Sequence, residues 1–267
     1  MRIVHVSDLH FGHHDAALAA GLAADLISQS PDLVVASGDF TQRGTAAEFR
    51  MARAFLDTLS TPVLAVPGNH DVPAKNLIRR MLDPYRDYRR YISPELQPFV
   101  EIKGVALAGL RTSRRIRAEL NWSHGSISRH QLGDLAETFA KASPGAVRVI
   151  VAHHPLMQPE TETEKHTRAV KRADLALEAF AGLGVRLVLS GHFHLSFVRR
   201  YELGTKEGVP AGPREATAAP ILVAQASSTI STRLRGEPNA YNVIDIDDGI
   251  VTVRVREWTK DRWLTRE

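Results

Sequence analysis

Residues 2–12 read RIVHVSDLHFG, and this stretch decides how the chain folds. Residues 2–6 are dominated by β-branched side chains, which predicts a buried strand. Asp8 and His10 follow one residue apart, and Gly12 lets the chain turn away. An Asp-x-His triplet alone has little meaning, so the rest of the chain must supply partners for it.

Four later segments repeat this arrangement of a strand followed by a polar loop. They are ASGDFTQRG at 36–44, VPGNHD at 66–71, VAHHP at 151–155 and SGHFH at 190–194. The strands predicted before them span 31–37, 61–66, 146–152 and 185–190. Ligands of open α/β sheets bind at the carboxyl ends of the strands, so five strand ends deliver carboxylates, imidazoles and one amide to one edge.

Helical patterns alternate with these strands, which indicates parallel βαβ units. Helices are predicted at 16–29, 45–59, 126–142 and 168–182, two of them with capping boxes, Thr45 with Glu48 and Ser128 with Gln131. Residues 73–93 form a predicted helical insertion, 98–103 and 104–110 are strand-like, 203–219 is a loop, and a hairpin turns on Asp248-Gly249. We therefore predict a single α/β domain over residues 1–267.

The composition limits the class of protein. Of 267 residues, 24% are charged and 43% hydrophobic, which is typical of a soluble globular domain. No apolar run approaches the ~20 residues of a membrane helix, and the N-terminus lacks the apolar core of a signal peptide. The absence of cysteine excludes disulfides and thiolate ligands and makes a cytoplasmic location the default expectation. A net charge of +4 is too small to predict nucleic acid as the main partner.

The polar residues at the strand ends suit metal ions. Mixed oxygen and nitrogen ligands without sulfur favour Mn, Fe, Zn, Co or Ni over Ca or Mg. Two Asp, one Asn and four His are too many for one ion and about right for two ions that share a carboxylate. Such a pair can clamp a phosphoryl group.

These five segments resemble, in order, the motif blocks of the calcineurin-like metallophosphoesterase superfamily, spread over residues 8–194. The resemblance implies a four-layer αββα sandwich of two mixed sheets flanked by helices, with a dinuclear metal site at the C-terminal edge of the strands. It implies that Asp8, His10, Asp39 and His194 bind the first ion. It also implies that Asp39, Asn69, His153 and His192 bind the second, which makes Asp39 the bridge.

The resemblance also implies a mechanism, in which metal-bound hydroxide attacks the phosphorus in line with the leaving group. His70 would act as the general acid or stabilise the leaving oxygen, and Asp71 would orient His70. Protein Ser/Thr phosphatases of this superfamily have an acidic residue at the position of Gln42, so we exclude that activity. A non-catalytic module would lack ligands, and none is missing here.

Three further segments resemble class III cyclic-nucleotide phosphodiesterases and glycerophosphodiesterases: AHHP at 152–155, HGSISRHQLGDL at 124–135 and RLRGEPNAYNVIDI at 233–246. We expect a metallophosphoesterase that hydrolyses a small phosphodiester, such as a cyclic nucleotide, with two ions of Mn, Fe, Zn or a mixture. The alternative is a phosphohydrolase or pyrophosphohydrolase for a lipid-linked or nucleotide-sugar substrate, suggested by residues 73–93. The resemblance also implies a homodimer.

The substrate contacts are less well defined by the sequence. Arg43, His154 and Arg111 are the candidates. The basic run 111–117 either binds phosphate or is a solvated loop. The Tyr and Arg residues of 85–91 could stack a base or border a membrane, but inward packing of the tyrosines at helical spacing is the alternative. We expect His5, inside a strand, to be a structural core residue.

Overall fold

The computed structural model describes residues 1–114, 124–159, 168–202 and 219–266. In these residues the chain forms six helices and twelve strands. The helices are α1 Ala16–Ser28, α2 Ala46–Asp57, α3 Leu77–Leu82, α4 Arg86–Tyr91, α5 Arg129–Phe139 and α6 Ala173–Gly182. The strands are β1 Arg2–Val6, β2 Leu33–Ala36, β3 Val63–Ala65, β4 Phe99–Ile102, β5 Val105–Leu110, β6 Val147–Ala152, β7 Val185–Ser190, β8 Phe197–Tyr201, β9 Ile221–Gln225, β10 Ala240–Asp247, β11 Ile250–Thr259 and β12 Arg262–Thr265.

The strands form two mixed six-stranded sheets. The first has the order β12-β11-β10-β1-β2-β3, in which β1, β2 and β3 are parallel and β10 runs antiparallel to β1. The second has the order β4-β5-β6-β7-β9-β8, in which β5, β6, β7 and β9 are parallel. The two sheets face each other across one apolar core, and helices cover their outer faces. The predicted αββα sandwich is confirmed.

Both faces of strand β1 are covered by other parts of the molecule. Ile3 points into the core between the sheets, whereas Val4 and Val6 pack beneath the helices of the first layer. Because both faces are covered, β1 lacks a regular alternation of apolar and polar residues, and His5 is the one polar side chain in its buried part. His5 is buried among these side chains and bonds through Nε2 to Ser37 Oγ at 2.9 Å, so its predicted structural role is confirmed.

Local side-chain and backbone features fix where several of the helices begin. Both predicted capping boxes, at Thr45 and Ser128, are present. The helix predicted over 168–182 begins only at Ala173, because Arg172 has a left-handed backbone with φ of 69°. Residues 73–93 form two short helices, α3 and α4, separated by Asp83, Pro84 and Tyr85. The predicted loop 203–219 lies outside the described residues except for its last position.

None of the helices in the described ranges is both long and apolar enough to span a bilayer.

Candidate metal centre

The predicted ligands all lie in loops at the carboxyl ends of parallel strands. The first sheet contributes four of them, after β1, β2 and β3, and the second sheet contributes the other three, after β6 and β7. The seven residues are Asp8, His10, Asp39, Asn69, His153, His192 and His194. The candidate centre therefore lies where the strand ends of the two sheets meet.

Five of these seven residues have a left-handed backbone, which is uncommon outside glycine. The φ angles are 52° at Asp8, 47° at His10, 54° at Asp39, 79° at His192 and 59° at His194. Each such conformation costs about 1–2 kcal/mol and persists only where the surroundings impose it. Backbone hydrogen bonds between loops do so here, from Asp8 N to Gly38 O at 3.1 Å and from His10 N to Asp39 O at 2.9 Å.

A first group of ligand atoms surrounds one carboxylate oxygen of Asp8, the Oδ1 atom. Its Oδ1 lies 3.4 Å from His194 Nε2 and 3.6 Å from His10 Nε2. Asp8 Oδ1 and His10 Nε2 are buried and have no hydrogen-bond partner among the described residues. Two atoms that are each about 2.1 Å from one ion are separated by about 3.0–3.4 Å. The spacing and the unpartnered atoms therefore fit a shared metal ion better than direct hydrogen bonds.

A second group surrounds Asp39. Its Oδ2 lies 3.3 Å from His153 Nε2 and 3.7 Å from His10 Nε2, so it contacts members of both groups. Asn69 Oδ1 lies 3.1 Å from His153 Nε2. The ring of His192 packs against that of His153, with the centroids 5.2 Å apart. Asp39 is thus positioned between two sets of ligand atoms.

Each carboxylate is held by one oxygen and presents the other to the imidazoles. Asp8 Oδ2 accepts hydrogen bonds from Ser7 Oγ at 2.8 Å and from the His192 backbone N–H at 2.7 Å. Asp39 Oδ1 accepts one from the His70 backbone N–H at 2.8 Å. His153 is fixed in the same way, because its Nδ1 bonds to the Ser37 carbonyl at 2.8 Å. Such contacts orient ligands around a metal ion.

The electrostatics favour ionised carboxylates. Burial alone would raise the pKa of Asp8, but the neighbouring His194 and His10 hold it below its usual value. Burial would lower the pKa of His153, but the Asp39 carboxylate outweighs it and raises that pKa to about 9. Burial lowers the pKa of His192 to about 3. The ionised carboxylates and the neutral His192 ring are thus in the forms that bind cations, whereas His153 carries a proton that it would release when an ion binds.

His70 lies at the edge of the cluster, with its ring centroid 4.8 Å from that of His10. Its Nδ1 bonds to the backbone carbonyl of Gln42 at 2.7 Å. Because a carbonyl only accepts, Nδ1 carries a proton and the Nε2 atom is the one available for other contacts. Burial lowers the pKa of His70, partly offset by Asp39.

Asp71 has contacts that differ from those predicted. Its Oδ1 accepts from the Thr41 backbone N–H at 3.0 Å, and its Oδ2 accepts from the Gly68 N–H at 2.8 Å. The carboxylate thereby joins the two loops that carry Asp39 and His70, while the Gln42 carbonyl orients the His70 ring. Burial, with the Asp39 carboxylate second, raises the pKa of Asp71 to about 7.

The three candidate substrate residues occupy different places. His154 is buried beside the cluster, with its ring 4.6 Å from that of His192 and its Nδ1 bonded to Thr112 Oγ1 at 2.7 Å. Arg43 lines a separate cavity next to the Asp39 loop. Arg111 lines a cavity of about 680 Å³ and lies over the Tyr85 ring at 5.4 Å. The basic run 111–117 lies outside the described residues from position 115 onward.

Several supporting groups were not identified from the sequence. The carbonyls of Gln42 and Ser37 orient two histidines, and the Thr112 hydroxyl orients a third. Two of these groups belong to the backbone, which every residue carries, so no residue type signals them. Thr112 lies just after a predicted strand, and this position was the one feature of the sequence that could have indicated a role near the site.

Comparison with known proteins identifies one family and several related enzymes. Residues 1–196 match the family described as Calcineurin-like phosphoesterase. A protein of Synechococcus sp. described as a probable cyclic nucleotide phosphodiesterase is 27% identical over 221 residues, covering 79% of this chain and 80% of that protein. A glycerophosphodiester phosphodiesterase of Enterobacter lignolyticus is 28% identical over 231 residues, covering 79% of this chain and 77% of that protein.

A solved structure shares the fold. The crystal structure of a dimetal phosphatase from Danio rerio superimposes with a TM-score of 0.68, covering 99% of this chain and 98% of that chain. The sequence identity is 12%, so this likeness concerns the architecture alone.

Proposed function

The chain belongs to the calcineurin-like phosphoesterase family and is a phosphoric ester hydrolase, and from this premise we propose that it hydrolyses a small phosphodiester, with a cyclic nucleotide as the first candidate. One observation carries the proposal. Asp8 and Asp39 each present one oxygen to buried imidazoles at 3.3–3.7 Å, and Asp39 lies between the two groups. Two ions with a shared carboxylate fit this arrangement.

The residues divide between two ions as follows. Asp8, His10, Asp39 and His194 would hold the first, and Asp39, Asn69, His153 and His192 would hold the second. When bound, the ions would polarise the phosphoryl group and lower the pKa of a nearby water. Nitrogen and oxygen donors accept Mn, Fe, Zn or a mixed pair.

His70 would supply the proton for the leaving oxygen. Its Nδ1–H is held by the Gln42 carbonyl, so the transferred proton sits on Nε2 and requires the imidazolium form. Burial lowers the pKa of His70, whereas a bound phosphodiester anion favours the charged ring. His154, fixed by Thr112, would border the same space and contact the substrate.

The relatives support a diester substrate. The two curated relatives described above are named for phosphodiester hydrolysis, of a cyclic nucleotide in one case and of a glycerophosphodiester in the other. Both alignments cover more than three quarters of each chain, so the likeness extends beyond the metal loops.

The test is turnover by protein stripped with a chelator and then loaded with a single metal. Mn-loaded protein should cleave bis(p-nitrophenyl) phosphate and 3′,5′-cyclic AMP. Asp39→Asn should lose both activities, while the matched control Asp247→Asn, at an exposed strand end, should retain them. Absence of diester turnover with Mn, Fe, Zn, Co and Ni alike would overturn the proposal.

A second candidate is hydrolysis of a lipid-linked or nucleotide-sugar substrate. It is favoured by the apolar side chains that α3 exposes beside the arginine-lined cavity. The same Mn-loaded protein tested on a nucleotide sugar separates the two functions. Cleavage of the pyrophosphate bond without diester turnover would select this candidate. The single-domain assignment, homodimer formation and cytoplasmic location stay predictions.

A further inference from the structure

Helix α3 exposes an unusual number of large apolar side chains. Leu77, Ile78, Met81 and Leu82 are 56, 75, 46 and 80% exposed, and we call them the α3 patch. They belong to a helix of only six residues, so they lie close together. Contiguous exposed apolar surface of this kind marks an interaction site.

The segment around the α3 patch is strongly basic. Residues 74–91 contain six basic and two acidic residues, so this segment has a formal charge of +4. That equals the formal charge of the entire chain, so the remaining residues are balanced. Lys75, Arg86, Arg89 and Arg90 are exposed there. The positive charge of the molecule is thus concentrated beside its apolar patch.

A basic cavity adjoins the patch. It has a volume of about 680 Å³, and its lining includes Leu82 of the patch together with Arg89 and Arg111. Arg111 is held over the Tyr85 ring, and Arg89 pairs with Asp83 at 3.0 Å. Planar guanidinium groups suit phosphate oxygens. Apolar side chains and an arginine-lined cavity therefore occur side by side.

We propose that the α3 patch docks on the surface of an anionic phospholipid bilayer. The apolar side chains would enter the boundary between headgroups and acyl chains, and the arginines and Lys75 would contact the lipid phosphates. A second copy of the chain fits less well, because it would bring one +4 segment against another. The proposal holds whichever phosphate ester is hydrolysed.

The patch is linked to the candidate metal centre. The backbone N–H of Ala74, at the start of the segment, donates to the Arg43 carbonyl at 3.1 Å. Arg43 follows Gln42, whose carbonyl holds His70. Docking would therefore bring the loop that carries His70 close to the membrane surface.

The experiment uses the full chain and sedimentation with vesicles of phosphatidylcholine, either pure or with about one third phosphatidylglycerol. The wild type should sediment with the anionic vesicles, and added salt should weaken this binding. Leu77→Ser/Ile78→Ser should reduce the partition coefficient at least about tenfold. Lys75→Glu and Arg86→Glu should each reduce it by about fivefold or more.

Matched controls carry the same chemical changes elsewhere. Ile250→Ser replaces an apolar residue, 70% exposed, at the start of β11, and Lys141→Glu reverses an exposed charge after α5. Both controls should bind like the wild type, and thermal melting of every variant should show that it is folded. Because this check does not use turnover, the docking proposal and the proposed function fail separately.

Three results would overturn the proposal. The first is a wild-type protein that does not sediment with the anionic vesicles. The second is binding that the two serine substitutions leave unchanged. The third is a wild type that does not bind vesicles but forms a dimer in sedimentation equilibrium, which Leu77→Ser/Ile78→Ser dissociates. The α3 patch would then be a contact between two copies of the chain.

Discussion

Replacing Gly38 with alanine tests how closely the loops of the metal centre are packed. Gly38 precedes Asp39 and has φ of 98°, a backbone conformation that residues with a side chain rarely adopt. A Cβ at this position would lie 2.7 Å from Gly68 N and 2.8 Å from His153 Nδ1. Both neighbours are part of the centre, one being the backbone before Asn69 and the other a predicted ligand.

The size of the effect follows from these two facts. The backbone strain costs about 1–2 kcal/mol. Crowding against a backbone and a fixed ring costs a further ~1–3 kcal/mol, because the neighbours must move by roughly 0.6 Å to reach ordinary contact. We expect the free energy of unfolding to fall by about 2–5 kcal/mol. Displacing a ligand by about half an ångström should also lower turnover roughly 10- to 100-fold.

Urea denaturation in chelator and turnover after Mn loading measure the two effects. Gly104→Ala is the control for strain alone, since Gly104 has φ of 72° and open space around it, so it should lose about 1–2 kcal/mol and no turnover. Gly133→Ala, in the open middle of α5, should be stabilised by about 0.5–1 kcal/mol. The reasoning is refuted if Gly38→Ala loses no more stability than Gly104→Ala and keeps full turnover.

Three further substitutions test other parts of the molecule. His70→Ala should keep the metal content of the wild type, measured by elemental analysis, but lose turnover about 10²- to 10⁴-fold, and equal turnover would contradict the assigned proton transfer. Asp71→Asn should lose about 1–3 kcal/mol in urea denaturation, because an amide cannot accept from both loops, and a change below about 0.5 kcal/mol would count against that linkage. Burial lowers the pKa of His5 to about 3, so between about pH 3 and 6.5 the unfolded chain binds a proton that the folded chain does not. The free energy of unfolding of the metal-free protein therefore rises with pH in that window, and the contribution of His5 is fully present above it. His5→Gln should reduce the slope of unfolding free energy against pH by up to about 1.4 kcal/mol per pH unit. An unchanged slope would show that His5 has the same pKa in the folded and unfolded states.

The sequence predicted the features that short segments encode. The capping box at Thr45 and the apolar strand before Asp8 are local patterns, and both are present. The gathering of polar residues at strand ends was also predictable, because parallel strands share one ligand-binding edge.

The remaining features depend on contacts between distant segments. Nothing near Asp71 in the sequence indicates that its carboxylate accepts from Thr41 and Gly68, or that the Gln42 carbonyl orients His70. The left-handed conformations of the predicted ligands are likewise imposed by neighbouring loops, since aspartate and histidine adopt them more often than most residues but still only in a minority of cases. Such features require the folded chain.

The pairing of β1 with β10 has a consequence for how the protein is made. Val4 lies opposite Val243, so one of the two neighbours of the strand that precedes Asp8 is made about 240 residues after it, whereas β2, the other neighbour, is made early. At about 5–20 residues per second, roughly 10–50 s separate the two strands on the ribosome. The last three predicted ligands follow at positions 153, 192 and 194. The seven predicted ligands can therefore come together only after residue 194 has been made.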